Sequence, residues 1–247
     1  MPVISADEKI EPLGNNMKII VSPEHTFGTD AILLADFASL KRKDTACDMG
    51  TGCGIIPLIW CKGETKELYA VDIQPKAVSQ LERSIELNGI EDRIKALNCD
   101  LREIEKSLFK GRFDLVTMNP PYKPVGTGIE SLSEAERIAR HEVTCTIDDA
   151  VRAASRLLRY GGRFCMCHRP ERLCDIIVSL RSFSMECKKI RFVVERAGKA
   201  PWLVLVEGRR GGKSGLTVLP ELVMKDENGN PTPEFRAMFG DYMDGHQ

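Results

Sequence analysis

The chain has 247 residues, 43% of them hydrophobic, and a formal net charge of −1, enough for one large α/β domain with a small appendage and a sizeable core. That balance excludes a chain built throughout to seek polyanions, and with no apolar run of about 18 residues a membrane-spanning helix is excluded too. The opening MPVISADEKIEPLG is acidic and lacks an apolar stretch, so no signal peptide is expected and the protein is expected in the cytoplasm.

In chain order, KIEPLGNNMKIIVS predicts a hairpin turning at Gly14-Asn15-Asn16, and TDAILLADFAS predicts a helix capped by Thr29 or Asp30. From Thr45 onward apolar runs alternate with amphipathic stretches of helix length, the pattern of a parallel sheet covered by helices. TACDM is the first core strand and leads into a glycine turn and IIPLIWC. ELYAVDI is the second, followed by a helix with Pro75 in its first turn, Val78, Leu81 and Ile85 on one face, and Asn88-Gly89 at its end. IKALNCD and FDLVTMNPPY supply the third and fourth strands.

Thr146 with Asp149 resembles a capping box ahead of a helix expected to stop at Gly161-Gly162. RFCMCH is a fifth strand and ERLCDIIVSLRSF a helix. CKKIRFVVER and PWLVLVEGRR lie too close together for a parallel crossover and read as antiparallel neighbours at the sheet edge. After Gly211 come a glycine-rich stretch, an apolar one, the turn DENGNPTP and the short amphipathic EFRAMFG. The expected organisation is an N-terminal hairpin and helix over 1–40, a core over 41–211 and a C-terminal extension over 212–247.

Nine cysteines without paired CxxC spacing indicate reduced thiols rather than a disulfide framework. Cys165, Cys167, His168 and Cys174 come nearest to a metal cluster. Their spacing does not match a closed site, and no metal is expected.

Gly50, Gly52 and Gly54 in DMGTGCG let the backbone approach a ligand at the carboxyl edge of the sheet. Their G-x-G-x-G spacing differs from the dinucleotide turn G-x-G-x-x-G, which places a nicotinamide-dependent oxidoreductase last. Asp72 ends the second strand, 22 residues after Gly50, where a carboxylate can accept from both hydroxyls of a ribose. Asp100 ends the third, where it suits an adenine amino group. Both residues could instead be helix caps, and paired strand-end carboxylates also serve hydrolases, although neither has a His or a metal-like cluster beside it.

NPPY, residues 119–122, carries the chemistry. An aromatic amine is a poor nucleophile because its lone pair is delocalised into the ring. If the Asn119 side-chain oxygen and the Pro120 carbonyl accept its two hydrogens, the lone pair turns outward toward an electrophilic carbon. Tyr122 can stack on the base, and the prolines fix the backbone without needing partners for a missing N–H. A rigid turn alone would not call for Asn before the prolines and Tyr after them.

Taken together these residues resemble the class I S-adenosylmethionine-dependent methyltransferases that carry an amino-methylating (D/N)PP(Y/F) motif. DMGTGCGIIPL is similar to their first motif, AVDI to the ribose-binding strand end, NCD to the adenine-binding strand end and NPPY to the catalytic signature, over about residues 25 to 210. Within that group HTFGTDAILLADFA and ARHEVTCTIDDAV resemble the bacterial tRNA1(Val) adenine-37-N6 methyltransferases. The resemblance implies a Rossmann-like, seven-stranded, mostly parallel sheet with an antiparallel edge hairpin and helices on both faces. It implies S-adenosylmethionine as cofactor, held by Phe27, Gly28, Thr29, Asp30, Asp48, Gly50, Gly52, Gly54, Asp72, Ile73, Asp100, Leu101 and Asn119. Catalysis would rest on Asn119, Pro120 and Tyr122, with N6-methylation of adenosine in tRNA as the reaction.

Charge distribution adds to this. Residues 151–213 hold 15 Lys and Arg against 5 Asp and Glu, leaving −11 elsewhere to reach the total of −1. Lys188, Lys189, Arg191, Arg209 and Arg210 on the late strands are expected to follow a phosphate backbone, while Arg152, Arg156 and Arg159 read as a solvated helix face. Arg140-His141-Glu142 reads as a loop over the target or as a charged surface loop. A monomer with tRNA as partner and no membrane is expected. The alternatives are N-methylation of a protein glutamine, an rRNA base or a DNA base, and a cofactor-binding module without catalysis. With only about 40 residues at the front and 35 at the back, the large separate recognition domain that DNA adenine enzymes usually carry is not expected, which weakens the DNA alternative.

Overall fold

A computed structural model describes residues 2–63, 67–107, 110–120, 145–239 and 242. Strands β1 (Lys9–Gly14) and β2 (Met17–Val21) form an antiparallel hairpin. Its turn residues Asn15 and Asn16 take φ of 50° and 59°, the left-handed pair a tight two-residue turn requires. Helix α1 (Thr29–Phe37) precedes the core, which runs β3 (Thr45–Met49), α2 (Ile55–Trp60), β4 (Glu67–Asp72), α3 (Pro75–Asn88), β5 (Ile94–Asn98) and β6 (Phe113–Met118). It continues with α4 (Ile147–Leu157), β7 (Leu158–His168), α5 (Leu173–Ser182), β8 (Met185–Val194) and β9 (Leu203–Arg210). The tail adds β10 (Thr217–Val218), β11 (Leu222–Val223) and α6 (Pro233–Phe239).

The long strands of the main sheet lie in the order β5-β4-β3-β6-β7-β9-β8, with the two-residue strands β10 and β11 both along β8. Every pairing is parallel except those of β9, which runs opposite to both β7 and β8. The seven long strands and the antiparallel hairpin agree with expectation, and the tail contributes the two short additions.

Strand alternation divides the interior into two clusters, one on each side of the sheet. Ala46, Leu68, Leu115, Cys165 and Cys167 pack with Leu34, Ile56, Leu58 and Leu81 from α1, α2 and α3. Their chain neighbours Cys47, Tyr69, Val116, Phe164 and Met166 pack with Val151, Ala154, Leu157 and Leu180 from α4 and α5. A sheet covered on both faces has buried strands, and all five residues of β3 are buried. The hairpin sits on α3, where Gln80 donates to the carbonyls of Ile20 and His25 and Ser84 Oγ accepts from the Ile20 N–H. The tail also joins the core, burying Phe235 and Phe239.

Two element ends differ from the sequence reading. Helix α4 stops at Leu157, because Leu158 already has extended ψ of 140° and starts β7. Gly161 and Gly162 lie inside that strand, at the register shift against β6 between Phe113 and Leu115. A Cβ on Gly162 would come within 3.0 Å of the Phe113 carbonyl, so the pair serves close strand approach rather than a helix stop. Helix α1 begins after Gly28, with neither Thr29 nor Asp30 as a side-chain cap.

The capping box of α4 does form: Thr146 Oγ1 accepts from the Asp149 N–H at 3.1 Å, and Asp149 accepts from the Thr146 N–H at 3.1 Å. Thr146→Ala is expected to lower stability by about 1 kcal/mol in urea unfolding. An unchanged midpoint would show that solvent satisfies those donors equally well.

Candidate functional site

Parallel strands present their carboxyl ends along one rim, and the connections reverse direction between β3 and β6, where ligands of such sheets bind. At that point the glycine turn leaves β3. Gly50, Gly52 and Gly54 adopt φ of 65°, 55° and 84°, conformations that side chains with a Cβ avoid. No atom lies within 4 Å of where a Cβ on Gly52 would stand, so the turn borders open space.

Asp72 ties the turn to β4. Its Oδ2 accepts from the Gly52 N–H at 2.8 Å and its Oδ1 from the Gln74 N–H at 2.9 Å. Each oxygen keeps a second lone pair for a ligand hydroxyl. Beside it Ile73 is 51% exposed, an apolar surface at a strand tip where a flat base can rest. An open glycine cradle, a carboxylate held by backbone donors and an exposed aliphatic side chain fit the turn, ribose and adenine of the expected cofactor.

Two expected cofactor residues have other engagements. Asp48 is 1% exposed and accepts from Thr117 Oγ1 at 2.7 Å, facing across the ladder to β6 rather than the open rim. Asp100 caps the 3-10 turn Leu101–Lys106 through the Arg102 N–H and pairs with the Arg102 guanidinium, which holds its carboxyl below the usual range.

Asn119 stands just past β6. Its Nδ2 donates to Asp30 Oδ2 at 3.2 Å, and its Oδ1 accepts from Cys167 Sγ at 3.0 Å. A carboxylate only accepts, so this pairing orients the amide with its oxygen away from Asp30. Asp30 also takes the Ala31 N–H with Oδ1, and this oxygen would lie 2.5 Å from a Cβ on Gly28; glycine there leaves room for the carboxylate. Asp30 thus reaches the tip of β6 from 89 positions away. Phe27 turns toward the tail and packs against Tyr242 in a tilted ring contact, with centroids 5.7 Å apart. Pro120 is partly exposed beside Asn119, whereas Tyr122 and Arg140-His141-Glu142 lie outside the described residues.

The next strand contributes Cys167 and His168, which the sequence offered as part of a weak metal cluster, and Arg169, which the sequence reading did not single out. Met118 pairs with Met166, so Cys167, His168 and Arg169 follow alongside NPPY. His168 Nδ1 accepts from the Arg169 N–H at 2.8 Å, which leaves its proton on Nε2. Burial first, then the Arg172 and Arg169 cations, push its pKa down to about 4, so it is neutral at physiological pH. The signal available was ladder position: the strand paired with an NPPY strand must end beside it.

The cations assigned to RNA are spread otherwise. Lys189 pairs with buried Glu207 at 3.2 Å and Arg191 with Glu234 at 2.6 Å. Lys188 donates to the Lys213 carbonyl and Arg210 to that of Leu158. Arg209 aligns with Arg163, near the start of β7, so Arg209 and Arg210 stand at the sheet edge opposite the rim.

Burial pushes the Asp48 carboxyl up to about 7, against the hydrogen bond from Thr117 and with added repulsion from Asp72. The folded chain therefore keeps a proton that the unfolded chain releases near pH 4. The stability of wild type relative to Asp48→Asn is expected to be highest in acid, to fall as pH rises from about 4 to about 7, and to level off above that. Urea unfolding across this range checks it; a difference independent of pH would mean the native carboxyl ionises normally.

Comparison with known proteins agrees with this geometry. A family profile described as TRM5/TYW2 methyltransferase domain matches residues 35–155. The tRNA1(Val) (adenine(37)-N6)-methyltransferase of Histophilus somni strain 129Pt is 28% identical over 218 residues, covering 87% of this chain and 89% of that protein. The protein of the same name from Pasteurella multocida is 27% identical over 221 residues, covering 87% and 88%. Among solved structures, "a predicted O-methyltransferase" from Agrobacterium tumefaciens superposes with a TM-score of 0.67 at 23% identity, over 87% of this chain and 96% of that one. TYW2 of M. jannaschii in complex with AdoMet gives 0.56 at 13% identity, over 85% and 88%. With its strand order, its glycine turn tied to Asp72 and these relatives, the chain has the class I methyltransferase fold and is similar in sequence to S-adenosylmethionine-dependent tRNA methyltransferases.

Proposed function

We propose that this enzyme methylates the exocyclic N6 of an adenine in tRNA, adenosine 37 of a valine tRNA by its likeness to the tRNA1(Val) (adenine(37)-N6)-methyltransferases. The observation that carries the reading is the Asn119 carboxamide, held between Asp30 and Cys167 at the tip of β6 with its oxygen free of the carboxylate. That oxygen and the Pro120 carbonyl are the two acceptors an aromatic amine needs to localise its lone pair, and no strong general base is required.

Gly50, Gly52 and Gly54 would admit S-adenosylmethionine to the turn, Asp72 would take its ribose hydroxyls, Ile73 would lie against its adenine, and Asp100 with the Leu101 backbone would meet the adenine edge. Phe27 to Asp30 would close the methionine end, with Asp48 supporting the turn from beneath. The cofactor supplies a methyl carbon made electrophilic by sulfonium. Asn119 and Pro120 orient the acceptor amine toward that carbon, Asp30 keeps the amide from flipping, and Tyr122 would stack on the target base. Lys188, Lys189 and Arg191 would act only as a peripheral phosphate contact, with Arg209 and Arg210 farther from the cleft.

Among the described residues no helix is long and apolar enough to cross a membrane. A tRNA substrate would place the enzyme in the cytoplasm, working as a monomer without a metal.

Incubating the protein with methyl-labelled cofactor and bulk tRNA from cells lacking the gene is expected to yield N6-methyladenosine, identified by nucleoside mass spectrometry. Asn119→Ala is expected to reduce kcat by about 100-fold or more with a small change in KM for tRNA, as for loss of an acceptor used in the transition state. Label appearing in protein instead, or methyl transfer unaffected by Asn119→Ala, would overturn the assignment.

A further inference from the structure

The tip of β7 holds a cation that nothing in the cofactor half of the site uses. Arg169 is partly buried and its Nε is fully buried without a hydrogen-bond partner among the described residues. Buried guanidinium donors left without an acceptor are rare and costly, and a bound anion is one way to satisfy such a donor. Its neighbour Arg172 is paired with Asp175 at 2.7 Å.

Position says which anion. Cys167 touches Asn119, and Arg169 lies two residues further on, just past the end of β7 and still extended, about 7 Å on at the rise of an extended chain. The glycine turn, Asp72 and Asp100 end β3, β4 and β5, on one side of Asn119; β7 ends on the other. A nucleotide that offers its base amine to Asn119 must bring its sugar and phosphodiester to one side of that point, and the β7 tip is the side the cofactor leaves open. The backbone beneath the arginine is also fixed, because its N–H is donated to His168 Nδ1 at 2.8 Å. His168 is neutral and so does not compete for the anion.

We infer that Arg169 clamps a backbone phosphate of the nucleotide whose base is methylated. The inference rests on the tRNA reading above and adds the residue that positions the substrate. A planar guanidinium suits the two non-bridging oxygens of a phosphodiester, which an ammonium meets only as a point charge.

The test compares wild type, Arg169→Met, Arg169→Lys and, as a control in the loop before β3 at the opposite sheet edge, Lys43→Met. Binding to an anticodon stem-loop RNA is followed by fluorescence anisotropy over a salt series, and methyl transfer is measured on the same RNA. Arg169→Met is expected to raise KM for RNA about tenfold and to reduce the slope of log affinity against log salt by about one phosphate contact. Arg169→Lys is expected to keep the slope while losing part of the affinity, and Lys43→Met to match wild type. Thermal stabilisation by S-adenosylhomocysteine should be equal in all four, which also establishes that each is folded.

Arg169→Met with the wild-type KM and salt slope would overturn the clamp while leaving the methyltransferase reading intact. Wild type that binds the stem-loop with the Arg169-dependent slope yet transfers no methyl group would overturn that reading and keep the clamp. Wild type that binds no RNA would overturn both.

Discussion

An amide can point either way unless something forbids one orientation, and here the prohibition is electrostatic. The Asp30 carboxylate has no hydrogen to give, so it can face only the NH2 end of Asn119, and the amide oxygen is committed to the side where Cys167 reaches it. Most of the architecture serves this contact. The β3–β6 ladder sets the height of the β6 tip, Gly28 clears space for the carboxylate, and α1 is buried around a full turn from Ala31 to Ala35, which anchors its start. Losing the carboxylate would leave Asn119 present and its orientation undetermined.

A second constraint links cofactor and sheet. Asp72 takes one backbone N–H from the glycine turn and one from the entry to α3, so the loop that would surround the cofactor and the strand end that would hold its ribose cannot move independently. The Thr51 N–H donates to the Val71 carbonyl and reinforces the tie. Rigidity of this kind suits in-line transfer, since a small misplacement of either partner raises the barrier sharply.

The fold was legible where the pattern lies in consecutive residues. DMGTGCG forms the glycine turn expected of it, the aspartate at 72 ends its strand, and the alternation of strand and helix around them sets the sheet. What stayed hidden depends on distance along the chain. Asp30 and Asn119 are 89 residues apart, and nothing near either says they meet. Tyr242 reaches Phe27 by a route no local pattern encodes. The basic residues of the late strands were legible as a charge excess but not as a location: β9 runs against its neighbours, so Arg209 and Arg210 end at the far edge while Arg169, from the same basic stretch, ends at the rim. The end of α4 was misread because Gly161-Gly162 looks like a helix stop, when the pair is needed for a register shift between two strands.

The antiparallel insertion of β9 also governs how the molecule can be assembled on the ribosome. β8 leaves the exit tunnel before β9, yet in the finished sheet the edge of β7 is paired with β9, the strand still being made. Until Leu203 to Arg210 have emerged, β7 exposes a row of unpaired N–H and C=O groups bordered by apolar side chains. At translation speeds of about 5–20 residues per second, the interval between the last residue of β7 and the last of β9 is on the order of seconds. During that time the nascent sheet is open to pairing with a wrong partner, and the charged turn between β8 and β9 has to close the hairpin locally before the pair docks as one unit.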